Sequence, residues 1–111
     1  MILAVALIAG CASLGGTEPS TRQFSAPMSR VKPAFVSTLA SMGMMITSLE
    51  ARGGHEIIKA KKAGGEVEID LEPVGRDLTR ARVGAWSGGL LYDDETAARV
   101  LRQAGQILGK S

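Results

Sequence analysis

The sequence predicts one α+β domain: an antiparallel sheet, with elements in the order β-α-β-β-β-β-α and two helices packed on one face. Three observations predict it. Glu66-Val67-Glu68-Ile69-Asp70-Leu71-Glu72 alternates strictly, so Val67, Ile69 and Leu71 point one way and every carboxylate the other, the pattern of a strand with one wet face. Two other segments carry apolar residues at intervals of three and four. They are Val31, Ala34, Phe35, Thr38, Leu39 and Met42, then Ala97, Val100, Leu101, Ala104, Ile107 and Leu108, each forming one helical stripe. Between these stripes, Gly53-Gly54, Gly64-Gly65 and Gly88-Gly89 mark turns, so that successive strands run antiparallel.

The elements follow in order. Arg22-Gln23-Phe24-Ser25 is a short extended segment closed by Pro27, which biases Ala26 away from helix. The first helix has Ser29 as its N-cap, tolerates Pro33 near its first turn and ends at Gly43, which supplies a left-handed cap. Met44 to Leu49 is the second strand, although consecutive Met44, Met45 and Ile46 do not say which face is inside. A methionine cluster of this kind reads as core filler. His55 to Lys61 is the third strand, with Ile58 and Ala60 on one face and Ile57, Lys59 and Lys61 on the other. After the Glu66–Glu72 strand, Pro73-Val74-Gly75-Arg76-Asp77 turns the chain. Leu78 to Trp86 returns with Thr79, Ala81, Val83 and Ala85 inward and Arg80, Arg82 and Trp86 outward. Ser87-Gly88-Gly89 interrupts the pattern, and the last helix starts near Asp93 or Asp94, whose carboxylates suit its N-terminus.

With 111 residues the chain has room for a single domain, placed at 22–111. Its single cysteine excludes an intramolecular disulfide. A formal net charge of +2 is too small to imply nucleic acid. The outward Lys59, Lys61, Arg80 and Arg82 also flank the strand bearing Glu66, Glu68, Asp70 and Glu72. Cross-strand ion pairing therefore accounts for both signs of charge.

The N-terminal segment has a different character. Met1 to Gly10 contains no charged side chain; it is too short for a membrane-spanning helix but fits the apolar region of a secretory signal. No Lys or Arg precedes the apolar run, a departure from the positively charged opening of such a signal, and the expectation is that the natural start lies slightly upstream or that the chain is trimmed. Ile8-Ala9-Gly10-Cys11 resembles the lipobox of bacterial lipoproteins, in which the cysteine thiol receives a diacylglyceryl group and becomes the first mature residue. Several acyl chains on one residue give stable anchoring, whereas one is marginal. The resemblance makes Cys11 the lipid attachment site, 1–11 the signal segment and 12–21 a flexible tether rich in Gly, Ser and Thr. Ala12 rather than an aspartate follows the cysteine, which by the same resemblance implies sorting, in enterobacterial-type cells, to the outer membrane on its periplasmic side.

Catalytic signals are weak by comparison. His55 is the only histidine, stands at a strand start and reads as solvated. No Gly-x-Ser-x-Gly elbow occurs, and the glycine pairs lack the strand-to-helix setting of a phosphate loop. The expectation is therefore a non-enzymatic chain with no cofactor and no metal. Trp86, the only tryptophan, shares its predicted face with Arg80 and Arg82 just before Tyr92. Aromatic and arginine side chains have the composition of a protein-binding hot spot, and these four form the candidate partner surface; the alternative is that the inserted loop folds back and covers Trp86 as a satellite cluster.

Taken together, the lipobox, Leu39-Ala40-Ser41-Met42-Gly43, Val67-Glu68-Ile69-Asp70-Leu71-Glu72-Pro73 and Arg82-Val83-Gly84-Ala85-Trp86 resemble a family of small bacterial lipoproteins known only as a domain of unknown function. The inserted Ser87 to Tyr92 departs from that family, whose members pass quickly into an acidic helix start. The resemblance implies a membrane-anchored envelope lipoprotein, and the leading expectation is that its domain binds a protein or supports an envelope assembly. The alternative is a module holding a small hydrophobic or cell-wall ligand between sheet and helices.

Overall fold

The computed structural model describes residues 20–88 and 91–110. The proposed signal segment, Cys11 and most of the proposed tether lie outside the described residues. The elements are β1 (Ser20–Phe24), α1 (Met28–Ser41), β2 (Met45–Arg52), β3 (His55–Lys62), β4 (Gly65–Gly75), β5 (Leu78–Ser87), β6 (Leu91–Tyr92) and α2 (Asp94–Lys110). The six strands form one antiparallel sheet in the order β1-β5-β4-β3-β2, with β6 also paired to β5. The predicted α+β class and single helix-covered face are therefore the observed ones.

Strand alternation decides which residues meet the helices. Ile58, Ile69 and Val83 lie side by side across β3, β4 and β5, with Ala60, Val67 and Ala85 in the next row and Leu71 beside Ala81. All are buried. Val31, Ala34, Phe35 and Leu39 of α1 and Ala97, Val100, Leu101 and Ala104 of α2 cover them. Phe35 meets Phe24 of β1 edge to face, with ring centroids 5.8 Å apart and planes at 81°. Gly43 adopts φ +78°, which lets the Met44 N–H return to the Leu39 carbonyl at 3.0 Å and close α1 as predicted. Buried Thr79 Oγ1 donates to the Ala26 carbonyl at 2.8 Å, tying β5 to the β1–α1 connection.

Several predicted boundaries move. β1 starts at Ser20 rather than Arg22, because Ser20 and Thr21 pair with Val83 and Arg82. The domain thus takes the last part of the proposed tether. α1 starts at Met28, where the Pro27 carbonyl accepts from the N–H groups of Arg30 and Val31 at 2.9 and 3.0 Å. Ser29 lies inside the first turn, and the N-cap residue makes no side-chain bond. β4 continues to Gly75, past a register shift at Pro73. Leu91 and Tyr92, unassigned by periodicity, form the sixth strand. Ile107 is 38% exposed although it belongs to the α2 stripe.

The edge of the helix layer also explains Arg22. It lies on the helix side of β1, opposite Ala81, with its guanidinium 4.9 Å from the centroid of the Phe24 ring. A Cβ on Gly105 would stand 2.9 Å from Arg22 Nη1, so the glycine of α2 leaves room for the arginine.

Candidate functional site

The sheet face opposite the helices contains every sequence-predicted site residue within the described part of the chain. Register arranges it in rows. Met45, Lys61, Glu66, Trp86 and Tyr92 lie side by side across all five strands from β2 to β6. The next row is Ser48, Lys59, Glu68 and Gly84, followed by Glu50, Ile57, Asp70, Arg82 and Thr21. Arg52 beside His55, and Glu72 beside Arg80, close the far end.

That far end is an ion-paired cluster. Half-buried His55 donates through Nδ1 to Asp70 Oδ1 at 2.6 Å, and its Nε2 lies 3.9 Å from Glu72 Oε2. Arg80 Nη1 donates to the other Glu72 oxygen at 2.9 Å. Arg52 and Glu50 pair beside them on β2. His55 begins β3 as predicted, but its side chain is a half-buried, hydrogen-bonded member of this cluster rather than simply solvated. Among the described residues, no three of His, Cys, Asp and Glu are grouped to hold a metal ion. The acidic strand lies between the two basic ones as predicted, with Lys59 opposite Glu68 and Lys61 opposite Glu66. Among the described residues, however, the open-face ion pairs within 4 Å are those of the far end.

At the near end the aromatic residues decide the shape. Trp86 lies over Gly84, its neighbour two positions back on the same face, and a Cβ on Gly84 would stand 2.7 Å from Trp86 Cη2. Alternation brings Gly84 and Trp86 to one side, and only the absence of a side chain lets the indole settle on the strand. Tyr92 meets the indole edge to face at 6.0 Å and 82°. The ring separates two shallow depressions of about 240 Å³ each. One is lined by Glu68, Asp70, Arg82, Gly84 and Trp86, and the other includes Thr47, Lys59, Lys61 and Glu66.

The candidate partner surface is therefore divided. Trp86 and Tyr92 come together, and exposed Arg82 lines the depression beside them. Arg80 is roughly 20 Å from Trp86 at the rise of an extended strand, and Glu72 holds it in the ion-paired end. Trp86 keeps the predicted outward face but is half-buried, its ring packed on Gly84 and Tyr92.

Sequence reasoning missed Met45 and Leu91, which are 71% and 70% exposed at the same end. Met45 was masked by two apolar neighbours, whereas the spacing Gly84-x-Trp86 was a readable sign of an aromatic ring lying over a glycine. Asp93 caps α2, accepting the Thr96 N–H at 3.0 Å and the Thr96 hydroxyl at 2.6 Å. Those bonds, chiefly the hydroxyl's, hold its carboxyl below the usual carboxylate range. Its own N–H donates to the Ala85 carbonyl at 2.8 Å, which fixes the helix start against the end of β5.

No family model matches the chain, and no curated protein is similar to it. No helix among the described residues is long and apolar enough to cross a membrane.

Proposed function

We propose that this protein is a non-enzymatic lipoprotein of the bacterial envelope, anchored through acyl chains on Cys11 and facing the periplasm from the outer membrane. It acts by binding a protein partner or supporting an envelope assembly. The lipobox Ile8-Ala9-Gly10-Cys11 and its resemblance to small envelope lipoproteins supply the address. The observation that carries the binding role is the contrast between a filled interior and an uncovered aromatic end.

Phe35, Leu39, Ile58, Ile69, Leu71, Val83 and Val100 are each less than 2% exposed, so packed side chains occupy the space between sheet and helices. A hydrophobic ligand held there would have to displace them, which counts against the alternative reading. Trp86 and Tyr92, by contrast, stand on a face over which no helix of the described residues lies.

Metabolic labelling with a fatty-acid analogue tests the anchor. The wild type is expected to carry the label and to sediment with outer-membrane vesicles. Cys11→Ser is expected to lose both properties, and equal labelling of the two proteins would remove the proposal.

A further inference from the structure

We infer that the end of the sheet formed by the row Met45–Lys61–Glu66–Trp86–Tyr92, with Leu91 behind it, rests on the bilayer that carries the anchor and so holds the domain in one orientation. The inference depends on the lipoprotein reading for the identity of the anchor, and it gives the aromatic end to the bilayer in place of a protein partner; the surface itself is read from the fold.

Its chemistry suits the interfacial layer of a membrane. Trp and Tyr favour that layer because each joins an apolar ring to a polar tip. Met45 adds a large apolar side chain to the row at 71% exposure, and Leu91, which alternation turns to the other side of the sheet at the same end, adds a second at 70%. Lys61 is exposed in the row, with a stem long enough to lie along apolar surface while the ammonium reaches the headgroups, whereas Lys62 is turned the other way and donates to the Met42 carbonyl at 3.1 Å. The opposite end of the same face offers the charges of Asp70, Glu72 and Arg80, held in hydrogen bonds that include His55, and these charges would lose water on contact with lipid.

The attachment point selects the same end. β1 runs antiparallel to β5, from Ser20 opposite Val83 to Phe24 opposite Thr79. The chain therefore enters the domain from the Trp86 end of β5. Residues 12–19 separate Cys11 from Ser20, a span of roughly 30 Å at most when fully extended. A link this short keeps the row at an effective concentration in the millimolar range near the surface, so a weak intrinsic affinity suffices.

Acidic groups at this end limit the electrostatic contribution. Glu66 stands in the row, and Asp93, Asp94 and Glu95 begin α2 directly after β6. They oppose Lys59, Lys61, Lys62 and Arg99, so insertion of aromatic and apolar side chains must carry the contact. Docking is accordingly expected on zwitterionic lipid, with less than a threefold gain when a third of the lipid is anionic.

The unique cysteine and unique tryptophan permit a direct test. The chain from Cys11 onward, which holds every described element, is coupled through its thiol to a maleimide-headgroup lipid in phosphatidylcholine vesicles. Some vesicles also carry a nitroxide near the headgroup. The expected result is at least a twofold loss of Trp86 fluorescence to the nitroxide, abolished in a Met45→Glu, Leu91→Glu variant whose circular dichroism and thermal midpoint match the parent. If the coupled parent is unquenched by nitroxide but readily quenched by acrylamide, the row faces water and is left to a protein partner; that outcome overturns the inference. Equal nitroxide quenching of parent and variant overturns it too, because the docked surface then lies elsewhere. Neither result depends on biological acylation, so loss of the lipoprotein reading would instead appear in the labelling of Cys11→Ser.

Discussion

The two faces of the sheet are built from the same strands and do different work. On the covered face, Ile58, Ile69, Leu71, Ala81 and Val83 are completely buried under α1 and α2. On the open face, the same strands present Lys59, Asp70, Glu72, Arg80 and Arg82, together with a tryptophan lying on a glycine. Stability is concentrated where water is excluded, because apolar burial dominates and exposed ion pairs contribute little. The open face is consequently free to vary in chemistry along its length, ion-paired at one end and aromatic at the other.

Substitutions can break this comparison. Phe35→Ala, which empties the centre of the covered face, is expected to cost about 3–5 kcal/mol in urea unfolding. A loss below about 1 kcal/mol would mean that the helix layer is not the source of stability. Next in size comes the cap that fastens α2 beside β5. Asp93→Ala is expected to cost about 1 kcal/mol, whereas Asp93→Asn retains most of the cap.

The cap also sets a pH dependence. Because the folded-state pKa of Asp93 is lowered from 3.8, its carboxylate contributes fully above that value. Its contribution is lost as pH falls through the lowered folded value. The difference in unfolding free energy between wild type and Asp93→Asn should therefore shrink in that acid window and stay constant above about pH 5.

Smaller effects sharpen the contrast within the open face. Arg80→Ala removes a partner of Glu72 at a position about one-third exposed, and a loss of about 0.5 kcal/mol or less is expected by thermal melting. Gly84→Ala should change stability least, within about 0.5 kcal/mol, since the far edge of an indole can swing away. It should nonetheless shift Trp86 emission to the red and increase acrylamide quenching. An unchanged spectrum would show that the ring does not depend on the bare strand beneath it.

Much of this architecture was legible in the sequence, for reasons that differ by residue. Val67, Ile69 and Leu71 announce their face because alternation with carboxylates leaves one consistent register. Thr79, Ala81, Val83 and Ala85 do the same, and all four prove buried. Met45 could not be assigned, since three apolar residues in succession satisfy either face. β6 was invisible because two residues have no period, and its existence depends on Trp86 and Ser87 offering an unpaired edge. Ser29 looked like a cap by composition, but the Pro27 carbonyl begins the helix without one.

By itself the sequence determined the covered face, because side-chain periodicity is a local property and burial follows it: the alternation through Glu66–Glu72 and the stripes at three and four residues leave one way to exclude water. Tertiary structure alone decided how the open face is organised. The row joining Met45 to Tyr92 spans residues nearly half the chain apart, and register fixes it only after every intervening turn has closed. The separation of Arg80 from Trp86, the seating of the indole on Gly84 and the direction from which the chain enters at Ser20 have the same origin. Each is a distance between segments, set by strand pairing, and so has no signature in any single stretch of residues.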